Sequence, residues 1–511
     1  MLPVVLWPAL CAAAPTFEIT GFDVEGNTLL APAEVQQALA PYRGPGRTFA
    51  DVQHALAALQ EAYARRGYKL VRVALPEQEL DHGVVRLKVV ETRIGRVTVE
   101  GNRFFDEANI RRSLPGLREG EGVDLARLST DLARANENPA KKTTVEMQGA
   151  GEGQVDAHVV VADEKPWRVG FSADNTGTRE TGRTMLGFAY QNVNVAGLDH
   201  AASLQYITTA EEPRRVSVYA AGYRVPLYTL GDSVDVYGSY SDVDSGTVLA
   251  GILDLQLSGK GTVLGARYNH GIARIGALDS AVSLGIEHRA YRNDIALAGI
   301  PLGNDITLHP LTLAWSGAWK AAESDTAFSV SAVRNLPGGE HGTAEDFARV
   351  RADARSGYSL LRYSATHLHA LPADWQFRAS VSGQVTRASL VPGEQFGAGG
   401  VASVRGFENR EATGDEGYSG SFELYTPDLC ARRWSATACR VLAFYDGARV
   451  SRNHALPGEA DHASIGSVGL GWRGSIGRHA TLQLDYGHVV EGDSVERRGA
   501  NRVNFRLALS Y

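Results

Sequence analysis

A single arginine in a glycine-rich stretch is the residue of this sequence best placed to make a specific polar contact. The stretch GAGGVASVRGFEN spans 397–409, and its one charge before Glu408 is Arg405. A guanidinium set among small and apolar residues needs a carboxylate or several other acceptors. Glycine suits a backbone that bends sharply or approaches another element closely. The stretch therefore indicates a loop held inside a larger structure, although its VRGF tetrapeptide alone fits an exposed hairpin equally well.

Two other pairs of side chains could do chemistry. His367 and His369 would share one face of a strand, but no nearby Cys or carboxylate completes a metal site, so solvated or interface histidines are the better interpretation. Cys430 and Cys439 lie in a short polar segment between two strand-like runs. In an oxidising compartment such a pair predicts a disulfide, and two unpaired thiols are the alternative.

The sequence contains no motif typical of an enzyme. A nucleophile elbow, a phosphate-binding loop and a zinc-protease helix are all missing from it. The net charge of -7 argues against a nucleic-acid surface, which would need clustered Lys and Arg. We therefore expect no enzymatic activity, no metal, no cofactor and no nucleic-acid partner.

Composition favours several domains built largely from strands. A chain of 511 residues is long for one domain. Gly 56 and Tyr 19 against Met 3 suit short alternating strands better than packed helices. No stretch approaches the roughly 18 apolar residues of a membrane helix, but a closed membrane barrel carries a much weaker signal in each segment.

The first fourteen residues predict export. Residues 1–14 are apolar and end in three alanines. This is typical of the apolar core and small-residue cleavage site of a secretory signal peptide, although the charged segment that normally precedes the core is missing. Either the start is truncated or the signal is atypical.

An internal repeat occupies the next 150 residues. The tetrapeptide VEGN occurs at 24–27 and again at 99–102, an offset of 99 − 24 = 75 residues. Each copy is predicted to contain a strand, two helices and two further strands, so we expect two α+β domains at 15–92 and 93–164. The helix after the tetrapeptide repeats at the same offset, with Val35 and Leu39 matching Ile110 and Leu114.

From residue 165 onward the pattern changes to strands. Apolar and polar side chains alternate through 233–240, 481–486 and 503–511. This period fits a soluble sandwich and a membrane barrel equally. The length favours the barrel, because roughly 345 residues hold some 16 strands and closure removes exposed edges. We find sixteen or seventeen runs, of which 250–258 is a doubtful one, and expect sixteen antiparallel strands within 165–511.

The connections between these strands differ in length. Polar or glycine-rich links at 176–182, 335–345 and 393–415 alternate with tight ones such as Gly259-Lys260. Membrane barrels show this asymmetry, with long outer loops and short periplasmic turns.

Several motifs together resemble one family. The element order of the repeated domains, with its Gly-Asn turn, resembles the polypeptide-transport-associated (POTRA) domain, and NENP at 136–139 resembles the second such domain of two-partner secretion transporters. GGVASVRGF at 399–407 resembles the lid-loop motif of that TpsB family, within the outer-membrane assembly superfamily. The similarity continues at 174–182 and 194–199, and it covers 17–511. It implies two periplasmic POTRA domains followed by a 16-stranded transmembrane β-barrel.

The resemblance also implies a site. In the family the lid loop folds back into the barrel, and its arginine pairs with an aspartate in a Phe-x-Asp-Gly context. Here the lid would span about 393–415, with Asp446, 446 − 405 = 41 residues downstream, as the partner of Arg405. Such a contact in a lumen where water competes less would pin the loop, and an arginine needed for folding alone is the alternative. The motif residues are Val404, Arg405, Gly406 and Phe407 in the lid, and Phe444, Asp446 and Gly447 in the barrel.

The function implied by the resemblance is protein secretion across the bacterial outer membrane. A haemolysin- or adhesin-like, β-helical exoprotein would be bound unfolded by the POTRA domains, by strand addition, and cross the barrel to the cell surface. POTRA domains that are only spacers are the alternative for this binding role. Further partners would be outer-membrane lipid and the barrel assembly machinery, which recognises a terminal aromatic such as Tyr511.

Two other functions compete with secretion. An assembly or insertion factor of the same superfamily would share the architecture, but two POTRA copies and the NENP segment favour secretion. A passive porin is disfavoured by the POTRA duplication.

One departure from the family predicts a leaky pore. Relatives usually carry an N-terminal helix that plugs the barrel, whereas strand one here starts at about Phe17, so either closure depends on the lid alone or the sequence begins too late. We expect a higher resting conductance than in plugged relatives. Planar-bilayer recordings that show a closed resting channel would contradict this expectation.

Overall fold

The computed structural model describes residues 15–511 except 80, 180, 244–246, 251–254, 259, 293–295, 298–299, 302–303, 432, 435 and 493–497. The leader expected at 1–14 lies outside the described residues. The chain divides into two compact units between Glu164 and Lys165. Among the described residues, no helix is both long enough and apolar enough to cross a membrane.

The N-terminal unit is α+β. Its elements in chain order are β1 (Phe17–Ile19), β2 (Gly21–Glu25), α1 (Pro32–Leu39), a 3-10 turn (Ala40–Tyr42), β3 (Gly44–Arg47), α2 (Phe49–Arg65), β4 (Arg72–Ala74), β5 (Val84–Val90), β6 (Arg93–Glu100), α3 (Glu107–Ser113), α4 (Leu125–Ala135), β7 (Lys141–Gly151) and β8 (Gln154–Asp163).

The two halves of this unit share one topology, as the repeat predicts. In the first half, β2 pairs parallel with β5, and β4 pairs antiparallel with β5. In the second half, β6 pairs parallel with β8, and β7 pairs antiparallel with β8. The glycine of each VEGN repeat has a positive φ, 87° at Gly26 and 82° at Gly101, and a Cβ there would lie 2.4 Å from a carbonyl oxygen of the neighbouring strand. The repeated glycine is therefore required by the turn.

One predicted strand is divided. The expected strand 17–27 is split at Thr20, whose backbone N–H donates to the carbonyl of Gly83 at 2.9 Å. The part before Thr20 pairs with β3, an element that the sequence analysis missed, and the part after it pairs with β5. Because β3 is Gly-Pro-Gly-Arg, its composition carries no strand signal.

A carboxylate closes the turn after VEGN in each half. Glu91 accepts from the backbone N–H groups of Thr28 at 2.6 Å and Leu29 at 2.8 Å. Asp163 does the same for the second turn, where the donors are the N–H groups of Arg103, Phe104 and Phe105 at 2.9, 2.8 and 3.0 Å. Each carboxylate thus satisfies donors that the turn leaves without a backbone partner.

The C-terminal unit consists mainly of strands. In chain order its elements are β9 (Trp167–Asp174), β10 (Met185–Val195), β11 (His200–Thr209), β12 (Val216–Leu227), β13 (Asp232–Val243), β14 (Thr247–Ala250), β15 (Leu255–Ser258), β16 (Lys260–Ile275), β17 (Leu278–Arg292), β18 (Ala296–Leu297), β19 (Ile300–Pro301), β20 (Ile306–Leu308), β21 (Pro310–Lys320), β22 (Ser324–Asn335), α5 (Ala344–Val350), β23 (Ser359–Ala370), β24 (Gln376–Thr386), β25 (Phe396–Ala398), β26 (Ala412–Gly414), β27 (Glu416–Tyr425), β28 (Thr437–Ser451), β29 (His462–Ile476), β30 (Ala480–Gly492) and β31 (Asn501–Ser510), with 3-10 turns at Pro372–Asp374 and Pro392–Glu394.

Sixteen antiparallel strands of the described residues close into a barrel, which confirms the predicted count. The last strand, β31, pairs with the first, β9. β20 and β21 form one strand interrupted at His309, since both pair with β17. The N–H of His309 donates to the side-chain oxygen of Asn335 at 2.8 Å, which replaces the missing ladder bond.

The doubtful run 250–258 is outside the barrel wall. β14 and β15 pair with each other as a separate hairpin. The prediction of a tight link at Gly259-Lys260 is wrong. Lys260 is the first residue of β16, and the connection between the barrel strands β13 and β16 spans 244–259. The error arose because alternation continues through that connection, so local pattern did not show where pairing stops.

The barrel presents apolar side chains outward. On β17, for example, the side chains of Leu284 and Ile286 are exposed, whereas that of the next residue, Glu287, is buried. This arrangement is typical of a barrel whose outer surface meets lipid. Other exposed apolar side chains of the wall are Phe188, Leu204, Tyr219, Leu264, Leu313, Trp315, Phe422, Leu470 and Val503.

The two ends of the barrel differ. We call the end where β9 begins proximal and the opposite end distal. Proximal connections are mostly short, such as 228–231 and 276–277, whereas distal ones include 336–358 and 387–415. The distal connection 387–415 contains the expected lid.

Glu91 should stabilise the N-terminal unit in its ionised form. Burial alone would raise its pKa, but the hydrogen bonds from Thr28 and Leu29 outweigh burial and hold the pKa of this carboxyl below its usual value. Its contribution is therefore present above the unfolded pKa of about 4.3 and is lost as the pH falls through the lower folded pKa. We expect Glu91→Gln to cost about 1.5–3 kcal/mol at pH 7.

Hydrogen–deuterium exchange of the full chain measures this effect. At pH 7 the amides of Thr28 and Leu29 should exchange faster in Glu91→Gln, and the difference should shrink at acidic pH. The exposed Glu79, changed to Gln, is the matched control. Equal protection in both variants would contradict the assigned role.

Candidate functional site

The lid enters the barrel as a loop on a small hairpin. β25 and β26 pair with each other, and residues 399–411 form the tip between them. Val404 and Phe407 are 0% and 1% exposed, and they pack with Ile465 of β29 and Val489 of β30. The apolar residues that flank Arg405 thus bury the tip against the inner wall.

Arg405 makes a two-pronged contact with Asp446. Its Nε lies 2.7 Å from one carboxylate oxygen and its Nη2 2.7 Å from the other. The backbone N–H of Arg405 also donates to Asp446, at 3.1 Å. The side chain of Asp446 is completely buried and that of Arg405 is 5% exposed. A buried bidentate pair of this kind holds both position and orientation.

Two more carboxylates contact the same guanidinium. Nη1 of Arg405 lies 2.7 Å from Glu423 of β27 and 3.3 Å from Asp485 of β30. The guanidinium carbon lies 3.5 Å from the centre of the Phe444 ring, within range of a cation–π contact. Sequence reasoning missed Glu423, and it placed Asp485 on the polar face of its strand without linking it to Arg405. The alternation of β27, which places Ser419, Ser421 and Glu423 on one face, was the available signal.

Glu423 and Asp485 each also form an ion pair with a second arginine. Arg378 of β24 lies 3.4 Å from Glu423, and Arg473 of β29 lies 2.8 Å from Asp485. Within the described residues the cluster therefore contains three guanidiniums and three carboxylates, counting Arg405 and Asp446. Such balance reduces the cost of burying charge.

Close approach of the lid depends on two glycines. Gly406, beside the arginine, has a φ of 100°, which favours glycine. Gly487 of β30 lies directly under the tip, where a Cβ would come within 2.9 Å of the Gly406 nitrogen and 3.0 Å of the Arg405 carbonyl carbon. Gly447 follows Asp446 on β28, and a Cβ there would have its nearest contact at 3.6 Å, so the structure shows no steric need for glycine at 447.

A cavity of about 220 Å³ lies beside the tip. Lid residues Val401 and Ser403 form one side of it, and Arg378, Arg473 and Arg506 lie on the barrel side. Its lining is mostly polar, as expected for a water-filled lumen.

The other motif residues stabilise the barrel wall. Asn175 donates to the carbonyl of Val503 at 2.8 Å and accepts from the N–H of Phe505 at 3.0 Å, so it joins the first strand to the last. Asp199, in the first proximal turn, accepts from the hydroxyl of Tyr228 at 2.8 Å. Thr176, next to Asn175, also accepts through its backbone carbonyl from the side chain of lid residue Asn409, at 3.3 Å.

The cysteine and histidine pairs are separate from the lid. Cys430 and Cys439 form a disulfide at the proximal connection 426–436 and the start of β28. The rings of His367 and His369 are 6.0 Å apart, and His367 contacts the hydroxyl of Thr326. In the described part of the chain, no group of three or more His, Cys, Asp or Glu side chains is arranged to hold a metal ion.

Comparison with known proteins places this geometry in a family. The sequence profile of haemolysin secretion/activation protein ShlB/FhaC/HecB matches residues 153–474, and that of the POTRA domain, ShlB-type, matches 17–92. The outer membrane transporter CdiB of Dickeya dadantii (strain 3937) is 22% identical, over 97% of this chain and 87% of the relative.

Solved structures agree at the level of the fold. CdiB from Escherichia coli superposes with a TM-score of 0.75 at 21% identity, covering 99% of this chain and 93% of that chain. BamA from Haemophilus ducreyi lacking POTRA domains 1–3 gives 0.53 at 15% identity, covering 97% and 100%. Because the family profile spans more than half of the 511 residues, the chain belongs to the haemolysin secretion/activation family ShlB/FhaC/HecB, whose members are two-partner secretion transporters of the outer membrane.

Proposed function

We propose that this outer-membrane transporter secretes a partner exoprotein through its barrel and that the lid at 393–415 gates the passage. Family membership supports the transport role, and the position of the lid tip inside the barrel supports the gate. The single observation that carries the gate is the set of contacts of Arg405. This residue is a buried charge on a loop, and the carboxylates that accept its hydrogen bonds belong to the barrel wall.

We call Arg405 and its three carboxylate partners the latch. The latch can hold and release the lid because its parts belong to different elements. Arg405 moves with the lid, whereas Asp446, Glu423 and Asp485 are fixed on β28, β27 and β30. Breaking one buried pair leaves uncompensated charge, which makes a loosely held intermediate position unfavourable. A lid held in this way has two states, seated and released.

The partner is an unfolded haemolysin- or adhesin-like, β-helical protein. POTRA domains at 15–92 and 93–164 would capture it in the periplasm. Among the described residues, β4 of the first three-stranded sheet and β7 of the second each pair with one neighbouring strand and leave the other edge open, and such edges suit an extended peptide. Folding of the partner outside the cell would drive its passage.

Two further partners follow from the barrel. Its apolar outer surface contacts outer-membrane lipid, and the assembly machinery recognises the exposed aromatic side chain of Tyr511, which follows β31. An assembly or insertion role for this chain itself is the weaker alternative, since the profile that matches 153–474 is that of secretion proteins.

Arg405→Ala should abolish gating by the latch. Three buried carboxylates would lose their shared cation, a change that costs about 3–5 kcal/mol, so we expect secretion to fall at least about tenfold. If a long, β-repeat-rich secreted protein is encoded beside this chain, the readout is the accumulation of that protein in the periplasm of cells that lack the native transporter. Arg405→Lys keeps the charge but loses the fork and should retain part of the activity.

Barrel abundance, read from heat-modifiable migration on gels, is the control for folding. Normal secretion by Arg405→Ala at normal abundance would refute the latch. The exchange Arg405→Asp with Asp446→Arg should restore secretion only in part, because the new carboxylate would lie beside Glu423 and Asp485.

Gly487→Ala should unseat the lid without removing any charge. Its new Cβ would meet lid backbone at 2.9–3.1 Å, and overpacking of this kind costs about 1–3 kcal/mol. We expect a higher resting conductance in planar bilayers. Gly285→Ala on β17 is the matched control, since its added Cβ would have its nearest contact at 3.6 Å. Equal conductance in the two variants would show that the tip does not need this space.

A further inference from the structure

The two ends of the lid are anchored separately from its tip. At the first end, the side chain of Glu394 is 0% exposed and lies 2.5 Å from Arg289 of β17 and 3.1 Å from Arg362 of β23. Gln384 of β24 also donates to the Glu394 carbonyl, at 3.0 Å. The first end of the lid is therefore attached to the barrel wall.

The second end is anchored by a different distal loop. Asp415, also 0% exposed, lies 2.6 Å from Nη1 of Arg351. Its carboxylate accepts from the backbone N–H of Leu390 at 2.8 Å and of Asn453 at 2.7 Å. Arg351 is not part of the wall, since it follows α5 in the distal connection 336–358, which we call the strap.

The strap is packed onto the lid as a small apolar core. Phe347 and Tyr358 of the strap are 0% and 1% exposed, and they lie in one cluster with Leu390 and Val391, which lead into the lid. Leu308 of the barrel wall completes the contact. Burial at this level is typical of a folded domain interior and distinguishes the strap from a solvated loop.

Arg351 lies where strap, lid and a third loop meet. Besides Asp415, its Nη1 donates to the carbonyl of Leu390 at 3.1 Å, and its Nη2 lies 3.5 Å from Glu459 in the distal connection 452–461. The side chain is 5% exposed. A buried guanidinium that contacts three segments can hold them in one relative position.

We propose that Arg351 is a positioning residue for gating, which locks the second end of the lid from the cell-surface side so that strap and lid are released together. This inference rests on the gate proposed above. Moving the lid without the strap would break the buried ion pair of Arg351 and Asp415, which is strongly unfavourable. Among the charge contacts that hold the lid, two then act as locks on opposite sides of it: Arg405 inside the lumen and Arg351 at the distal surface. Closure then involves two loops and not the lid alone.

Single-channel recording of the full chain in planar bilayers tests the second lock. We expect Arg351→Met and Asp415→Asn each to raise the ratio of open to closed dwell times by at least about fivefold, the lower range of measured couplings between sites. The double variant should show less than the sum of the two single effects, because both changes break the same ion pair. Arg351→Lys, which keeps the charge, should restore part of the closed time.

Arg355→Met is the matched control, since Arg355 is in the same strap with an exposed side chain. Dwell times are recorded from folded barrels, so a role limited to assembly would lower the number of channels and leave their dwell times unchanged. If Arg351→Met and Asp415→Asn both gave the dwell times of Arg355→Met, the proposal would be overturned.

A second measurement covers the case in which Arg351→Met yields too few channels. Val391 is 1% exposed, and a Val391→Cys probe should react slowly with a membrane-impermeant maleimide on whole cells. Adding Asp415→Asn should speed labelling by at least about fivefold, and an unchanged rate would overturn the proposal. The variant Arg405→Ala separates the two hypotheses: if it alters dwell times while the Arg351 and Asp415 variants do not, the strap proposal alone fails, and if it alters nothing, the gate itself fails.

Discussion

The structure of the lid depends on one buried guanidinium. In the described part of the chain, three carboxylates lie within 3.3 Å of Arg405, and all three are on barrel strands. A buried charge without a partner is costly, so the loop is stable inside the lumen only where the inward faces of β27, β28 and β30 meet. Those faces come together when β27 to β30 pair consecutively in register. The position of the lid is thus a consequence of strand pairing, and a barrel with a shifted register would lose the contact.

In the N-terminal unit, too, a charged group is satisfied by partners distant in sequence. There the charged group is a carboxylate, and its partners are backbone N–H groups. Each VEGN turn has backbone N–H groups that donate to a carboxylate, Glu91 in the first copy and Asp163 in the second. Glu91 directly follows β5, which pairs with β2, and Asp163 ends β8, which pairs with β6. Sheet formation and turn closure therefore depend on each other, which explains why two copies that share little besides VEGN and helix phase adopt one topology.

Both regions that hold the lid combine a buried ion pair with buried apolar side chains. At the tip, Val404 and Phe407 are buried beside the pair of Arg405 and Asp446. At the distal end, Phe347 and Leu390 belong to an apolar cluster beside the pair of Arg351 and Asp415. Buried contacts of this kind are costly to break one at a time, because water does not replace them. Each region therefore favours concerted release.

The sequence by itself determined the features that depend on neighbouring residues. Alternation of period two predicted sixteen strands, the VEGN repeat predicted two α+β domains, and glycine at Gly406 predicted a loop that approaches another element closely. Resemblance of VRGF and FYDG to family motifs paired Arg405 with Asp446. Only the tertiary structure decided that Glu423 and Asp485, 18 and 80 residues from Arg405, contact the same group, and that Arg351 locks onto Asp415, 64 residues away. Such contacts depend on the register between strands and on how distal loops pack, and neither is encoded in the local pattern.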